Sequence, residues 1–150
     1  MKNITKIIFA SGSGTSRAPM AAAIFQGMEK SGSIMCEARG LIVQFPEPLN
    51  QKAEAILISN GIELKDYSSK QLEDSDFADN TLVITMEEVQ RQKILNEFDS
   101  ATEENTRLLN ELVGDELEVM DPYGSSVQTY GLCFEVLKAS IEKLIRVLSA

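Results

Sequence analysis

The sequence predicts an α/β fold built around a parallel sheet. Short apolar runs alternate along the chain with segments whose apolar residues recur at helical spacing, which is typical of strands joined by crossover helices. The length of 150 residues fits one domain with a substantial core, and no repeat, linker or low-complexity tract divides it. We therefore expect residues 1–150 to form a single domain whose ligands bind beyond the carboxyl ends of the strands.

The first half of the chain predicts two strands and two helices. The first strand spans about Lys6 to Ala10, and Pro19 suits the first turn of the following helix, because its missing N–H costs nothing there. That helix ends near Gly32, and a second strand covers roughly Ile34 to Ala38. After a break rich in proline, residues Leu49 to Asn60 have the pattern of a helix.

The second half predicts two more strands and two more helices. The stretch from Leu64 to Ala78 looks irregular, and Thr81 to Thr85 follows as a buried strand. Glu87 to Phe98 has helical spacing, and a brief strand is expected near Arg107 to Leu109. The last helix, Val127 to Leu148, carries apolar residues at core-facing spacing. These residues are Tyr130, Phe134, Leu137, Ile141, Leu144 and Leu148.

Composition narrows the classes of function. The net charge is −9, with 14 basic and 23 acidic residues, which disfavours nucleic acid as a partner. No apolar run approaches the roughly 20 residues that a bilayer requires, so we expect no membrane partner, and the charged first residues do not resemble a signal peptide. Only Cys36 and Cys133 occur, so we expect a reducing compartment, most simply the cytoplasm. We also expect no metal, no cofactor, and a monomer or a weak homodimer.

The segment Ser-Gly-Ser-Gly-Thr-Ser-Arg predicts an anion site. It lies between the first strand and the first helix, so its backbone N–H groups and the helix N-terminus converge on one point. Arg17 is suited to hold two oxygens of an anion in a fork. A plain turn that binds nothing is the alternative, but the register of Arg17, Pro19 and Asp121 favours the anion site. The predicted phosphate-binding residues are Ser11, Gly12, Ser13, Gly14, Thr15, Ser16 and Arg17.

Nucleotide binding is another interpretation of the same glycines. Gly12 and Gly14 begin like a dinucleotide fingerprint, and Glu37 follows at about the distance of a ribose contact. Arg17, however, occupies the position where close packing of helix on strand requires a small residue. A Walker loop is excluded because no Gly-Lys-Ser/Thr occurs. We therefore favour a phosphate group over a nucleotide.

The chain resembles the low-molecular-weight protein tyrosine phosphatase family from about residue 5 to 148. That family has a strand, a Cys-x5-Arg loop and a Ser-Pro-Met-Ala helix start, and Ser11 stands where the family has its nucleophilic cysteine. Leu82-Val83-Ile84-Thr85-Met86 resembles the family's central strand and the methionine that follows it. Asp121-Pro122-Tyr123-Gly124 resembles the loop that supplies the general acid.

The resemblance implies a fold and roles for single residues. The implied fold is a three-layer α/β sandwich with a four-stranded parallel sheet, like phosphotyrosine protein phosphatase I. Asp121 would be the proton donor, and Tyr123 would form a wall of the pocket. Apart from the resemblance, two interpretations stay open for Arg39: it lines the rim of the pocket, or it is a solvated surface arginine, which we favour.

Departures from the family pattern weaken the expected catalysis. An alcohol is a far weaker acid than a thiol, and a serine nucleophile needs an adjacent base. The chain contains no histidine, so the usual base is excluded. The family usually has asparagine where Gly14 stands and serine where Ala18 stands, and both support the thiolate. Tyr67 lines up with a histidine of that network.

We therefore expect a phosphatase-like protein, a pseudophosphatase, that binds phosphate through Ser11–Arg17 and hydrolyses esters weakly or not at all. Its expected ligands are phosphate, a phosphorylated protein or a small phosphomonoester. The family's catalytic positions fall on Ser11, Arg17 and Asp121, and whether the chain is an enzyme stays open. The alternative is an active protein-tyrosine or protein-arginine phosphatase in which Ser11 is either engineered or functional.

Overall fold

The computed structural model describes residues 3–149. It contains a parallel sheet of four strands with helices on both faces. The strands are β1 (Lys6–Ala10), β2 (Met35–Arg39), β3 (Thr81–Thr85) and β4 (Thr106–Leu108), in the spatial order β2-β1-β3-β4. The helices are α1 (Arg17–Met28), α2 (Gln51–Ser59), α3 (Glu88–Glu97), α4 (Leu109–Val113) and α5 (Val127–Ser149), and a 3₁₀ turn spans Asp74–Asp76. The predicted three-layer α/β sandwich is confirmed.

The strand order places a crevice between β1 and β3. The chain passes from β1 to β2 on one side and returns to the other side of β1 to form β3. Ala10 and Thr85 are partners in the register of these two strands, so both strands end at the same edge of the sheet. Such a reversal of strand order is where ligands bind in open parallel sheets.

The side chains of successive residues in β1 lie on opposite faces of the sheet. Ile7 and Phe9 belong to the larger core, which α1, α2, α4 and α5 cover. Ile8 and Ala10 belong to a smaller core beneath α3. The first nine residues of α1 are all buried, because the helix lies between the sheet and α5. Within residues 3–149, no helix has both the length and the apolar composition needed to cross a membrane.

Element boundaries differ from the predictions where local contacts decide them. The side chain of Asn50 accepts hydrogen bonds from the backbone N–H groups of Lys52 (2.9 Å) and Ala53 (3.1 Å), so α2 begins after Asn50 and not at Leu49. Leu109 begins α4, whereas the prediction placed it at the end of the fourth strand. The prediction missed α4 because a helix of five residues is too short to display a period.

Two further boundaries were also displaced. β2 runs from Met35 to Arg39, one residue later than predicted, because its register with β1 pairs Met35 with Lys6. α1 ends at Met28, before the predicted end near Gly32. The last helix matches its prediction, and its predicted core positions are buried, with Leu148 only partly so.

Candidate functional site

The seven-residue loop Ser11–Arg17 lies at the crevice between β1 and β3. It leaves β1 at Ala10 and enters α1 at Arg17, as its small residues and Pro19 predict. All of its residues line one cavity of about 80 Å³, together with Asp121 and Tyr123. The structure thus brings together every residue that the sequence singled out for the site.

The carbonyl groups of the loop are bonded to neighbouring segments. The carbonyl oxygen of Gly12 accepts from the backbone N–H groups of Leu41 (2.7 Å) and Ile42 (3.2 Å), and that of Thr15 accepts from the N–H of Asn50 (2.9 Å). These bonds hold the loop against the segments that follow β2 and precede α2.

The amides of the same loop are largely unused. The N–H of Gly14 donates to the carbonyl of Ser11 at 2.9 Å. Those of Gly12, Ser13, Thr15 and Ser16 donate to no other residue in the described part of the chain. Several donors around a small cavity form the kind of nest that binds an oxyanion. The cavity is smaller than the roughly 300–1,000 Å³ of cofactor pockets, which suits a group the size of phosphate.

Gly14 holds the loop in a shape that no other residue allows. Its φ is +74°, and a Cβ atom at this position would lie 2.8 Å from the nitrogen of Gly40. The hydroxyl of Tyr67 donates to the carbonyl of Gly14 at 2.6 Å. Burial raises the pKa of Tyr67 to about 12, against the opposing charge of Arg39, so the phenol keeps the proton that it donates.

Ser11 forms the floor of the cavity. Only 4% of the residue is exposed, and its Oγ accepts a hydrogen bond from the backbone N–H of Ala18 at 3.1 Å. That N–H belongs to the first turn of α1, whose donors have no partners within the helix. The hydroxyl therefore lies where a developing negative charge is favoured.

Arg17 is buried and is already held by protein groups. Its Nη1 donates to the carbonyl of Val119 at 2.8 Å, and its Nη2 lies 2.7 Å from Oε2 of Glu87 and 3.7 Å from Oδ2 of Asp121. Only 4% of Arg17 is exposed. We expected the guanidinium of Arg17 to donate its hydrogen bonds to a bound anion. The structure shows that a carboxylate and a backbone carbonyl already accept from two of its donors.

Glu87 is a site residue that the sequence reasoning missed. It follows the end of β3, and its side chain makes no cap on α3, the helix that it precedes. The first N–H of α3, that of Glu88, instead donates to the carboxylate of Glu118 at 2.7 Å. A usable signal was present, because a carboxylate just beyond the strand next to the loop falls at the same edge of the sheet.

Asp121 and Tyr123 lie at the mouth of the cavity. The side chain of Asp121 is 55% exposed, and its Oδ1 accepts from the backbone N–H of Tyr123 at 3.1 Å in a tight turn. Tyr123 is 79% exposed, whereas Tyr130 is buried in the core. Lys52 of α2 donates to the carbonyl of Ser125 and so holds this turn against the rest of the molecule.

Arg39 corrects an expectation of the sequence. It is buried rather than solvated: its Nε and Nη2 each lie 3.3 Å from a carboxylate oxygen of Asp76, and its Nη1 donates to the carbonyl of Ala38 at 2.9 Å. It does not line the cavity at the loop. Its partner Glu37 has a lowered pKa, chiefly because it accepts a hydrogen bond from Lys6 and secondarily because of the charge of Arg39.

Neither thiol lines the cavity of the loop, although Cys133 lies near enough to Arg17 and Asp121 for their charges to act on its pKa. Cys36 and Cys133 are free and buried, and burial raises the pKa of both, that of Cys133 to about 11. Neither is a thiolate at neutral pH. In the part of the chain that the structure covers, no cluster of carboxylates and thiols has a metal-binding arrangement.

Comparison with known proteins finds a family model that matches the chain and several similar proteins. The family model described as low molecular weight phosphotyrosine protein phosphatase matches residues 6–150. The chain is similar to the low molecular weight protein-tyrosine-phosphatase PtpB of Staphylococcus epidermidis, with 27% identity over 139 residues, which cover 93% of this chain and 96% of the relative.

Two solved structures have the same fold. One is a low molecular weight protein tyrosine phosphatase from T. tengcongensis, with a TM-score of 0.88, 28% identity, and coverage of 95% of this chain and 99% of that chain. The other is a cysteine-to-serine mutant of the YwlE arginine phosphatase with a phosphorylated active-site serine. It has a TM-score of 0.85, 28% identity, and coverage of 94% of this chain and 93% of that chain.

Proposed function

Because the chain belongs to the low molecular weight phosphotyrosine protein phosphatase family, we propose that it binds phosphate or a phosphorylated side chain in the loop Ser11–Arg17 and hydrolyses it weakly or not at all. The family acts on phosphorylated substrates, and the similar proteins are named as tyrosine or arginine phosphatases. The observation that carries the proposal is a ring of unused amides around a small cavity that also contains a buried arginine.

The binding half of the proposal depends on the backbone. The carbonyls of Gly12, Gly14 and Thr15 are bonded to other segments, which leaves the amides of the loop available to an anion. Arg17 keeps part of its donor fork for the same ligand. The mutant relative with a phosphorylated active-site serine supports the idea that a loop of this type holds a phosphoryl group when its nucleophile is serine.

We expect hydrolysis to be slow because Ser11 has no neighbouring base of the usual kind. Its Oγ accepts a hydrogen bond from an N–H group, and the chain has no histidine to take its proton. Asp121 is the nearest candidate in the cavity, but in the family that residue is expected to give a proton rather than to take one. Loss of a nucleophile costs a serine protease on the order of a millionfold in rate.

Two carboxylates also reduce the affinity for an anion. Glu87 and Asp121 both lie within 4 Å of Nη2 of Arg17, so negative side chains outnumber the positive one at the cavity. A dianion such as phosphate is repelled by this excess. We therefore propose that Glu87 holds Arg17 in place at the expense of affinity.

The melting temperature in phosphate tests this proposal. We expect phosphate, compared with chloride at equal ionic strength, to raise the melting temperature by roughly 5–10 °C, since saturation about 100-fold above Kd stabilises a protein by about 2.7 kcal/mol. Glu87→Gln should tighten binding by about threefold to tenfold, because the amide oxygen still accepts from Arg17 but carries no charge. Arg17→Lys should weaken the response, because lysine lacks the fork.

Glu88→Gln is the matched control for these variants. It removes the same charge from the neighbouring residue, which pairs with Arg91 and does not touch Arg17. Its response to phosphate should equal that of the wild-type chain. Melting curves that do not respond to phosphate in either the wild-type chain or Glu87→Gln would overturn the proposed binding.

An active phosphatase is the second candidate, and the activities for which the similar proteins are named favour it. Repeated turnover of an aryl phosphate by the purified wild-type chain, lost in Asp121→Ala, would establish this candidate in place of the first. We further propose that the chain is a single domain and works as a monomer or weak homodimer. Both of its cysteines are free thiols, which supports a reducing compartment such as the cytoplasm.

A further inference from the structure

We infer that a groove beside the candidate site docks a basic, apolar segment of the phosphorylated protein whose modified side chain enters the loop. This groove, which we call the acidic groove, is lined by residues 114–118, Met120, Val136 and Ser140. The inference rests on the proposed function, because the loop must hold the phosphorylated side chain. It goes further by assigning the chemistry of the residues that flank that side chain.

The acidic groove presents apolar side chains to solvent. Leu117 is 83% exposed, and Met120 and Val136 are about half exposed. Leu132, which is 64% exposed, extends the same face of α5 by one turn. The groove has a volume of about 630 Å³, against about 80 Å³ for the cavity at the loop, so it has room for several side chains. Single exposed apolar residues are common, but a cluster of them marks a surface for a partner.

Carboxylates surround this apolar surface. Asp115, Glu116 and Glu118 line the groove, whereas no lysine or arginine lines it in the described part of the chain. Asp115 pairs with Lys143 at 2.5 Å, and Glu118 accepts a hydrogen bond from α3. The carboxylate of Glu116 forms no ion pair with any described residue. The groove therefore favours a partner with cationic side chains and disfavours an anionic one.

The same charge disfavours two other occupants. A symmetric contact with a second copy would place the three carboxylates of each groove against one another, and each copy carries a net charge of −9. Anionic lipid headgroups would be repelled in the same way. A peptide segment with lysine or arginine beside an apolar residue matches both the charge and the apolar surface of the groove.

One short stretch of backbone separates the acidic groove from the cavity at the loop. Met120 lines the groove, and the next residue, Asp121, lines the cavity. The carbonyl of Val119 accepts from Arg17 of α1, and that of Met120 accepts a weak hydrogen bond from Cys133 of α5 at 3.8 Å. Both helices therefore hold this stretch. A partner with its phosphorylated side chain in the cavity can place residues a few positions away in the groove.

Fluorescence anisotropy of labelled peptides tests the inference. The first peptide has a central phosphonomethyl-phenylalanine, which is a phosphotyrosine analogue that cannot be hydrolysed, flanked by leucine and lysine. In two matched peptides, glutamate replaces lysine or serine replaces leucine. We expect the full chain to bind the leucine–lysine peptide about tenfold more tightly than either matched peptide. The preference for lysine over glutamate should shrink as salt is added, because salt screens exposed charges.

Two variants locate the binding in the acidic groove. Glu116→Lys should weaken binding of the leucine–lysine peptide by about threefold to tenfold, because an attraction becomes a repulsion. Leu117→Ser should weaken it by about tenfold, because less apolar surface is buried. The matched controls are Glu142→Lys, at an exposed position of α5 outside the groove, and Ile58→Ser, at an exposed position of α2. Both controls should bind the peptide and respond to phosphate as the wild-type chain does.

The other outcomes separate the inference from the proposed function. A wild-type chain that melts at a higher temperature in phosphate but binds the lysine and glutamate peptides equally would overturn the inference and leave the binding proposal standing. A chain that responds to neither phosphate nor any peptide would overturn both. A wild-type dimer that Leu117→Ser converts to a monomer in sedimentation equilibrium would also overturn the inference, because a second copy would then cover the groove.

Discussion

Gly14 decides the shape of the loop at the scale of one residue. Positive φ alone tolerates asparagine, which is the residue that the family usually has there, but the approach of Gly40 leaves no space for a side chain. The support that a polar side chain would provide is replaced in part by Tyr67, whose hydroxyl donates to the backbone of Gly14. The loop of this chain is therefore held from outside by a phenol.

Gly14→Ala should unfold more easily and lose its response to phosphate. The added Cβ must displace the backbone of Gly40 and adopt a strained φ, which we expect to lower the free energy of unfolding by about 1–3 kcal/mol. Urea denaturation measures the loss. Gly27→Ala is the control, since this exposed helical glycine has an open Cβ position and should gain about 0.5–1 kcal/mol. Equal stabilities for the two variants would contradict the steric argument.

At the scale of elements, Arg39 joins the end of β2 to the 3₁₀ turn. The two carboxylate oxygens of Asp76 face Nε and Nη2 of Arg39, while Asp76 also accepts from the backbone N–H of Glu73 at 2.9 Å. A buried charge pair of this kind is costly to break, because the remaining partner keeps an uncompensated charge. The edge of the sheet beside the loop is therefore secured by charge as well as by backbone bonds.

Arg39→Leu should destabilise the chain by about 3 kcal/mol, since Asp76 is left without its cation. Adding Asp76→Asn to this variant should restore part of the loss, because the amide oxygen still accepts from Glu73 but carries no charge. Chemical denaturation compares the two variants. Lys65→Leu removes an exposed ion-paired cation and should change stability by less than about 1 kcal/mol. A double variant no more stable than Arg39→Leu would rule out the charge argument.

At the scale of the whole molecule, the burial of two thiols and a phenol predicts that the folded state loses stability at alkaline pH. The folded pKa of Cys36, Cys133 and Tyr67 is raised above the ordinary values of 9.0 for the thiols and 10.0 for the phenol. Between those values and the folded pKa, each group is ionised in the unfolded chain and neutral in the folded one. The unfolded state therefore gains stability as the pH rises.

The free energy of unfolding should fall between about pH 8 and about pH 10, by about 1 kcal/mol for each thiol. Urea denaturation at both pH values measures the change. The double variant Cys36→Ala/Cys133→Ala should be less stable at both, but its stability should depend less on pH. An unchanged slope in that variant would assign the alkaline loss to other groups.

The sequence alone was sufficient for the fold class, the family and the residues around the cavity. Strand and helix periods are local properties, and the loop with its flanking strand and helix lies within a short stretch of chain. That locality explains why residues 11–17 could be grouped from the sequence, and the structure places them around one cavity. That they bind phosphate stays a prediction. The roles of Ser11, Arg17 and Asp121 in binding and chemistry remain proposals.

Only the tertiary structure decided how the site is held together. Arg17 and Val119 are 102 positions apart, and Gly14 and Tyr67 are 53 apart, so no local pattern links them. The strand order brings Glu87 to the edge where β1 ends, and there its carboxylate lies 2.7 Å from Nη2 of Arg17. Contacts between distant segments depend on how the layers pack, whereas local periods depend only on which face of an element is buried.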